Sequence, residues 1–225
     1  MSTAEKALAA EPLFSKKNKK LITDPLDDNN PITVQVLGIC SALAVTIQMK
    51  NALVMSISVL VVTALGNLVM SLMRNIVPSR IRIIVQLVVV AALVIVVDQI
   101  LKAYLFDVSK QLSVFVGLII TNCIIMGRIE AFALGNKPWP SVLDGVGNGL
   151  GYGLVLVVVA FFKEVLGSGQ LMGFNLFGDV VNGDGLYAFG YMNNGLFLLP
   201  PSSLIVVGIY IWVQRSRNTK LIEQH

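Results

Sequence analysis

Six runs of apolar residues separated by short polar segments dominate the sequence after residue 30. The runs cover residues 31–49, 51–73, 81–101, 112–133, 142–162 and 199–213. Most are close to the roughly 20 residues that an α-helix needs to cross the hydrocarbon core of a bilayer. The pattern therefore predicts an all-α integral membrane protein with six transmembrane helices. The last run is short for a crossing, so we expect it to be tilted, extended at its start or partly re-entrant.

The composition excludes several other classes of protein. Hydrophobic residues make up 55% of the chain and charged residues 13%, whereas soluble domains carry about 25% charge. The aliphatic content also excludes a disordered chain. The single histidine is His225, which excludes a Ser-His-Asp triad and histidine-based metal sites unless a partner supplies the imidazole. The basic residues are scattered and form no stripe, so no nucleic-acid partner is expected.

The distribution of basic residues predicts the orientation in the membrane. We divide the chain into a polar cytoplasmic head (1–30), a six-helix membrane domain (31–215) and a cytoplasmic tail (216–225). With the N-terminus inside, thirteen Lys and Arg residues fall on the cytoplasmic side and four on the other, which favours cytoplasmic termini at both ends. The four on the outer side are Lys50, Lys102, Lys110 and Lys163.

Two cysteines, Cys40 and Cys123, lie in the first and fourth runs, each about half-way across by the 1.5 Å rise of a helix. Spans one and four cross in opposite directions, so superposing the cysteines relates two inverted three-helix repeats. Residues that suit an unbroken helix poorly lie beside both cysteines, and we therefore expect spans one and four to be broken near the midplane. These residues are Gly38, Ser41, Thr121 and Asn122.

The residues alone leave three interpretations of the cysteines open. They are buried structural thiols, as free cysteines often are, or ligands of a soft metal, or a disulfide. An iron–sulfur cluster generally takes four thiolates, whereas this chain has two cysteines. A cluster therefore requires another subunit that supplies the other pair.

Glycines recur every four residues at Gly145, Gly149 and Gly153 in the fifth run. Without a preceding strand they do not suit a phosphate-binding loop. They predict instead a small-residue face that another helix approaches closely. The Gly-rich and aromatic segment 166–201 is expected to be a loop at the outer membrane interface or against a partner.

Four acidic residues near the ends of the predicted spans are interpreted as interfacial charges that snorkel toward water. They are Asp98, Glu130, Asp144 and Glu164. Paired polar gates, Arg128 with Glu130 or Lys163 with Glu164, are the alternative interpretation. None of these charges is clearly central in a span, although a secondary ion transporter should show central charges.

Three segments resemble one family of bacterial membrane subunits. Residues 30–32, 37–45 and 121–128 are similar to the D subunits of the sodium-translocating NADH:quinone reductases. The same segments also resemble the related E subunits of the Rnf ferredoxin:NAD reductases, which is the alternative family assignment. The resemblance covers essentially all of the chain after the polar head. It implies an inner-membrane subunit of an NADH:ubiquinone reductase, with no complete active site and no catalytic residue in this chain alone.

The same resemblance implies a cofactor and a partner. An iron–sulfur cluster, expected to be of the 2Fe–2S type, would lie between this chain and a homologous E-type subunit of opposite topology, with two cysteines from each. Cys40 and Cys123 match the ligand positions. The centre would relay electrons across the bilayer, coupled to sodium export, while FAD, FMN and riboflavin are expected only in other subunits. The alternatives from other classes are a secondary ion transporter and a structural scaffold with inert thiols.

Overall fold

Three long apolar helices form the frame of the structure. The computed structural model describes residues 16–26, 29–78, 80–104, 117–168, 170–171, 174–175 and 195–217. The helices are α1 (Lys16–Thr23), α2 (Ile39–Val45), α3 (Met49–Met73), α4 (Arg82–Tyr104), α5 (Cys123–Arg128), α6 (Pro138–Ser168) and α7 (Pro200–Arg217). A 3-10 turn, Asp24–Leu26, follows α1, a π-helical turn, Ile129–Ala133, continues α5, and a second 3-10 turn, Gly195–Leu198, precedes α7. A short antiparallel pair, β1 (Gln170–Leu171) and β2 (Phe174–Asn175), follows α6.

The prediction of an all-helical membrane protein is confirmed in its main part. Within the described ranges, three helices are long and apolar enough to cross a membrane, namely α3, α4 and α6. They correspond to the second, third and fifth apolar runs. Helix α7 covers the sixth run but begins with prolines and serines and ends with Arg215 and Arg217, which lowers its apolar character. Six crossing helices in two inverted repeats therefore stay a prediction.

The first and fourth runs do not form continuous helices. Residues 29–38 lie outside any regular helix, and α2 is only seven residues long. In the fourth run a helical turn at 117–120 stops at Thr121, and α5 begins at Cys123. Val36, with φ at 59°, and Gly38, with φ at 80°, both have a left-handed backbone, which is incompatible with a continuing helix. The expected interruptions beside both cysteines are thus present.

Helices α3 and α6 pack with their backbones in close approach. A Cβ atom added to Gly145 would lie 2.9 Å from the Cα of Ala64, and one added to Gly149 would lie 2.8 Å from the Cα of Leu60. Real Cβ atoms do not approach backbone this closely, so only glycine permits this helix separation. The predicted small-residue face is confirmed, and its partner is α3.

A second row of glycines on α6 receives the N-terminal segment. A Cβ atom on Gly147 would lie 2.4 Å from the carbonyl oxygen of Leu21, and one on Gly151 would lie 2.3 Å from that of Pro25. The side-chain amide of Asn30 also donates to the carbonyl oxygen of Gly151 over 3.1 Å. Leu21, Pro25 and Asn30 therefore pack directly on α6.

Helix α6 is longer than the apolar run that predicted it. It extends to Ser168, so Lys163 lies within the helix and not in the segment that separates the fifth and sixth apolar runs. The charges of Lys163 and Glu164 predict that the apolar segment ends at residue 162, but both side chains are buried in the structure. Most of the predicted loop, including residues 176–194, lies outside the described residues.

Candidate functional site

The two cysteines lie at the starts of two short helices. Cys40 is the second residue of α2 and Cys123 is the first residue of α5. Both are free thiols and both are exposed on the surface of this chain. The thiols are therefore not buried within this chain, and no disulfide joins the two residues.

The two cysteine-bearing segments contact each other directly. Asn122, the residue before Cys123, donates from its side-chain amide to the hydroxyl of Ser41 over 3.4 Å. Ser41 is the residue after Cys40. The same Asn122 side chain caps α5, because its oxygen accepts the backbone N–H of Ile124 over 3.3 Å. One asparagine thus begins the second helix and joins it to the first.

Tyr152, at the centre of α6, forms a hydrogen bond with Ser41 at this contact. Its hydroxyl lies 2.6 Å from the Ser41 hydroxyl, and Ser41 donates to the carbonyl oxygen of Gly38 over 2.8 Å. Because a serine hydroxyl has one proton and two lone pairs, Ser41 then accepts from both Tyr152 and Asn122. Tyr152 is fully buried. The hydroxyl of Ser41 is fully used, so its position is fixed by three partners.

Two glycines let the segments approach. A Cβ atom on Gly38 would lie 3.0 Å from Cε2 of Tyr152 and 3.4 Å from Oδ1 of Asn122. A Cβ atom on Gly127 would lie 3.2 Å from Cδ1 of Leu37. A side chain at Gly38 would therefore press on the Tyr152 ring of α6, and one at Gly127 would press on the Leu37 side chain, which lies just before Gly38.

The far end of α5 is tied to α6 by a buried ion pair. Arg128, the last residue of α5, donates from Nε to Asp144 over 3.0 Å, and its Nη2 also bonds the same carboxylate. Asp144 is buried. The predicted pairing of Arg128 with Glu130 is wrong, since Glu130 instead bonds Arg82 and Gln86 of α4.

Two further charged residues of α6, Lys163 and Glu164, form hydrogen bonds to α7 and to the start of α3. Lys163 is fully buried and donates to the Ser203 hydroxyl of α7 over 2.7 Å. Glu164 accepts the backbone N–H of Met49, the first residue of α3, over 2.6 Å. The interpretation of Asp144 and Glu164 as charges that snorkel toward water is wrong, because both are buried and bonded to neighbouring elements.

Known proteins resemble this chain over most of its length. Residues 18–211 match the model of a family described as Rnf-Nqr subunit, membrane protein. The chain belongs to the Rnf-Nqr family. Two relatives, from Aeromonas hydrophila and Aeromonas salmonicida, are named as D subunits of the Na(+)-translocating NADH-quinone reductase. Each is 58% identical over 205 residues, which cover 91% of this chain and 95% of the relative. The resemblance drawn from the cysteine segments is confirmed.

The thiols of Cys40 and Cys123 are the two cysteine side chains that this Rnf-Nqr chain contains. Within the described ranges, no group of three or more His, Cys, Asp or Glu side chains is placed to hold a metal ion. Two exposed thiols on contacting segments are what the chain itself provides. Chemically, such a pair completes a four-thiolate site only when a second protein contributes two more sulfur ligands.

Sequence reasoning missed several residues that build the site. Tyr152 and Ser203 were not among the candidate residues, although each is a buried hydrogen-bonding side chain within an apolar helix. The available signal was their polarity inside or next to apolar runs, because a buried polar group in a membrane requires a partner. That signal identifies the residues but not their partners, which lie up to 157 positions apart, as in the contact of Thr46 with Ser203.

Proposed function

We propose that this chain is the D-type membrane subunit of a Na+-translocating NADH:ubiquinone reductase. Together with a homologous E-type subunit it holds an iron–sulfur cluster, of the 2Fe–2S type, that relays electrons across the bilayer coupled to sodium export. Membership of the Rnf-Nqr family and the 58% identity to two relatives named as D subunits support the assignment to this complex.

The observation that carries the proposal is the pair of exposed thiols on contacting segments. A chain that held inert thiols for packing would bury them, whereas Cys40 and Cys123 face outward from the isolated chain. Their neighbours Ser41 and Asn122 are hydrogen-bonded to each other, so the segments that carry the thiols are held together. Two thiolates from this chain and two from a partner give the donor set that a cluster requires.

The protein contributes ligands and a fixed framework. Cys40 and Cys123 would hold two of the iron ligand positions, and a bound cluster supplies one-electron transfer. Ser41, Asn122 and Tyr152 keep the two short helices in register, so that the thiols reach a partner together. The surrounding apolar helices lower the local dielectric, which is one of the factors that set the potential of such a centre.

The remaining steps belong to other subunits. The sequence carries no nucleotide-binding fingerprint, so NADH oxidation is assigned to a cytoplasmic subunit, and the flavins FAD, FMN and riboflavin are assigned elsewhere in the complex. We place the chain in the bacterial inner membrane with both termini in the cytoplasm. A centre near the midplane then divides one long electron crossing into two shorter ones.

An Rnf ferredoxin:NAD reductase is the alternative complex. The printed names of the two relatives favour the quinone reductase, because both are called subunits of that enzyme. A scaffold with inert thiols is disfavoured by the exposure of both cysteines.

Cysteine substitutions in the complete complex test the proposal. We expect Cys40→Ala or Cys123→Ala to lower the iron content and abolish quinone reduction, because three thiolates are a poor substitute for four. NADH oxidation with an artificial acceptor should persist. Gly208→Ala in α7, where the added Cβ would meet no heavy atom within 4 Å, is the control and should retain both properties. Full iron content together with full quinone reduction in either cysteine variant would contradict the proposal.

A further inference from the structure

Helix α6 carries two buried charged side chains that the cysteine site does not explain. Asp144 lies eight residues before Tyr152 and Lys163 lies eleven residues after it, or about 12 Å and about 16 Å along a helix. Both are essentially inaccessible to solvent, with exposed fractions of 1% and 0%. A buried charge is costly unless it is paired or hydrogen-bonded, so the partners of these residues are the informative feature.

Asp144 is connected to the helix that carries Cys123. It accepts two bonds from Arg128, which is the C-terminal residue of α5. Asn148, one turn further along α6, donates to the same carboxylate over 3.2 Å. Arg128 also lies over the ring of Phe132 with its guanidinium carbon 5.7 Å from the ring centre. The end of α5 remote from its contact with Ser41 is therefore fixed to α6.

Lys163 is connected in a similar way to the helix that carries Cys40. Its ammonium donates to the hydroxyl of Ser203, which lies 3.4 Å from the hydroxyl of Thr46. Thr46 is the C-cap residue of α2 and donates to the carbonyl oxygen of Ala42 over 2.6 Å. The next residue of α6, Glu164, accepts the first amide of α3, where a negative charge is stabilising. The end of α2 remote from the cysteine is thus fixed to α6 and α7.

The two connections share one geometry. Each cysteine helix begins at the Ser41–Asn122 contact over Tyr152 and ends at a polar contact that reaches α6. The three anchors on α6, namely Asp144, Tyr152 and Lys163, lie on one continuous helix of 31 residues. A continuous helix keeps the distance between its residues constant, so it fixes where both short helices begin and end.

We propose that Asp144 and Lys163 are positioning residues that set the placement of the two thiols by anchoring the far ends of α5 and α2 to α6. The inference rests on the proposed function, since it concerns the geometry of the ligands that this chain offers. Neither residue touches the thiols, and each acts through a second side chain, Arg128 for Asp144 and Ser203 for Lys163. Loss of an anchor lets one cysteine helix tilt about the Ser41 contact and changes the ligand geometry.

The test uses electron paramagnetic resonance and redox titration of the complete complex. The signal that Cys40→Ala removes is assigned to this centre. We expect Asp144→Asn and Lys163→Met each to shift its g values and midpoint potential or to lose iron. Lys163→Arg keeps the positive charge, and the exchanged pair Arg128→Asp with Asp144→Arg keeps the ion pair. Both should give a signal closer to that of the unaltered protein than Lys163→Met and Asp144→Asn do. Lys102→Met, which removes the partner of Asp98 within α4, is the control and should leave the signal unchanged.

The outcomes separate the two claims. If the unaltered complex shows no signal that depends on Cys40, the proposed function fails and the positioning role fails with it. If the signal is present but Asp144→Asn and Lys163→Met leave its g values and potential unchanged, the positioning role alone is overturned. Variants that reduce the yield of complex while the assembled fraction keeps the unaltered signal and potential also overturn it, because the residues then serve stability only.

Discussion

The side-chain amide of Asn122 donates to the hydroxyl of Ser41 over 3.4 Å, although the residues lie 81 positions apart. Asn122 precedes Cys123 and Ser41 follows Cys40, so this bond joins the two cysteine segments of the chain. Tyr152 stabilises the contact through its own hydrogen bond to Ser41. Changes to any of these three side chains should therefore alter how the two short helices are held together.

Removal of the Tyr152 hydroxyl should weaken the contact without opening a cavity. Tyr152→Phe keeps the buried ring but leaves a lone pair of Ser41 unsatisfied, and we expect a loss of about 1–2 kcal/mol in stability. Thermal unfolding of the purified complex, followed by the loss of this subunit, measures it. Tyr104→Phe is the control, because Tyr104 is 84% exposed. Equal stability of Tyr152→Phe and the unaltered complex would show that the hydroxyl bond contributes nothing.

Gly38 should not tolerate alanine. Gly38→Ala forces a side chain into a left-handed conformation, which costs about 1–2 kcal/mol, and places its Cβ 3.0 Å from the Tyr152 ring. The same thermal assay should show a clear loss of stability. Gly208→Ala in α7 is the control, since no heavy atom lies within 4 Å of the Cβ it would add. If both variants were equally stable, the described conformation of Gly38 would be wrong.

Two glycines of α6 should give different defects. Gly149→Ala clashes with the backbone of α3 at Leu60, and we expect a loss of about 1–3 kcal/mol in the stability of the bundle, as overpacking typically causes. Gly151→Ala clashes instead with the carbonyl oxygen of Pro25. Limited proteolysis should then cut the N-terminal segment of Gly151→Ala faster than that of Gly149→Ala. Identical cleavage patterns would argue against packing of residues 21–26 on α6.

The helices with a strong apolar pattern were predictable from sequence, and so were the interruptions beside the cysteines. Length and hydropathy located α3, α4 and α6 because a membrane requires about 20 apolar residues per crossing. Gly38 and Asn122 marked the breaks through their local conformational preferences. The glycine row Gly145, Gly149 and Gly153 predicted a close helix contact but not that α3 is the partner, since a pattern within one helix contains no information about its neighbour.

The pairing of charges was not predictable in the same way. Arg128 lies two residues from Glu130 and sixteen from Asp144, yet the structure pairs it with Asp144. The choice depends on which side of α5 and its π-helical continuation faces α6, and adjacency in sequence does not determine it. The burial of Lys163 was not predictable either, because the hydropathy pattern ends the apolar run at residue 162, whereas in the structure Lys163 is buried and donates to Ser203 of α7.

The membrane orientation gives a further prediction. A fusion after His225 should place its reporter in the cytoplasm, and one inserted between residues 179 and 185 should place its reporter in the periplasm, because most basic residues then lie inside. Paired alkaline phosphatase and fluorescent protein fusions measure this. Both positions are outside the described residues, so the assay is independent of the described fold. The reverse pattern of activities would contradict cytoplasmic termini.

The iron content of this chain made with and without its homologous partner tests the central claim most directly. Cys40 and Cys123 supply two thiolates, so the chain alone should purify without a stable cluster, whereas the co-expressed pair should contain iron and acid-labile sulfide in stoichiometric amounts. Cys123→Ala in the pair should abolish that content. A stoichiometric, reducible cluster in the chain purified as a monomer, or a pair that contains no iron, would contradict the account.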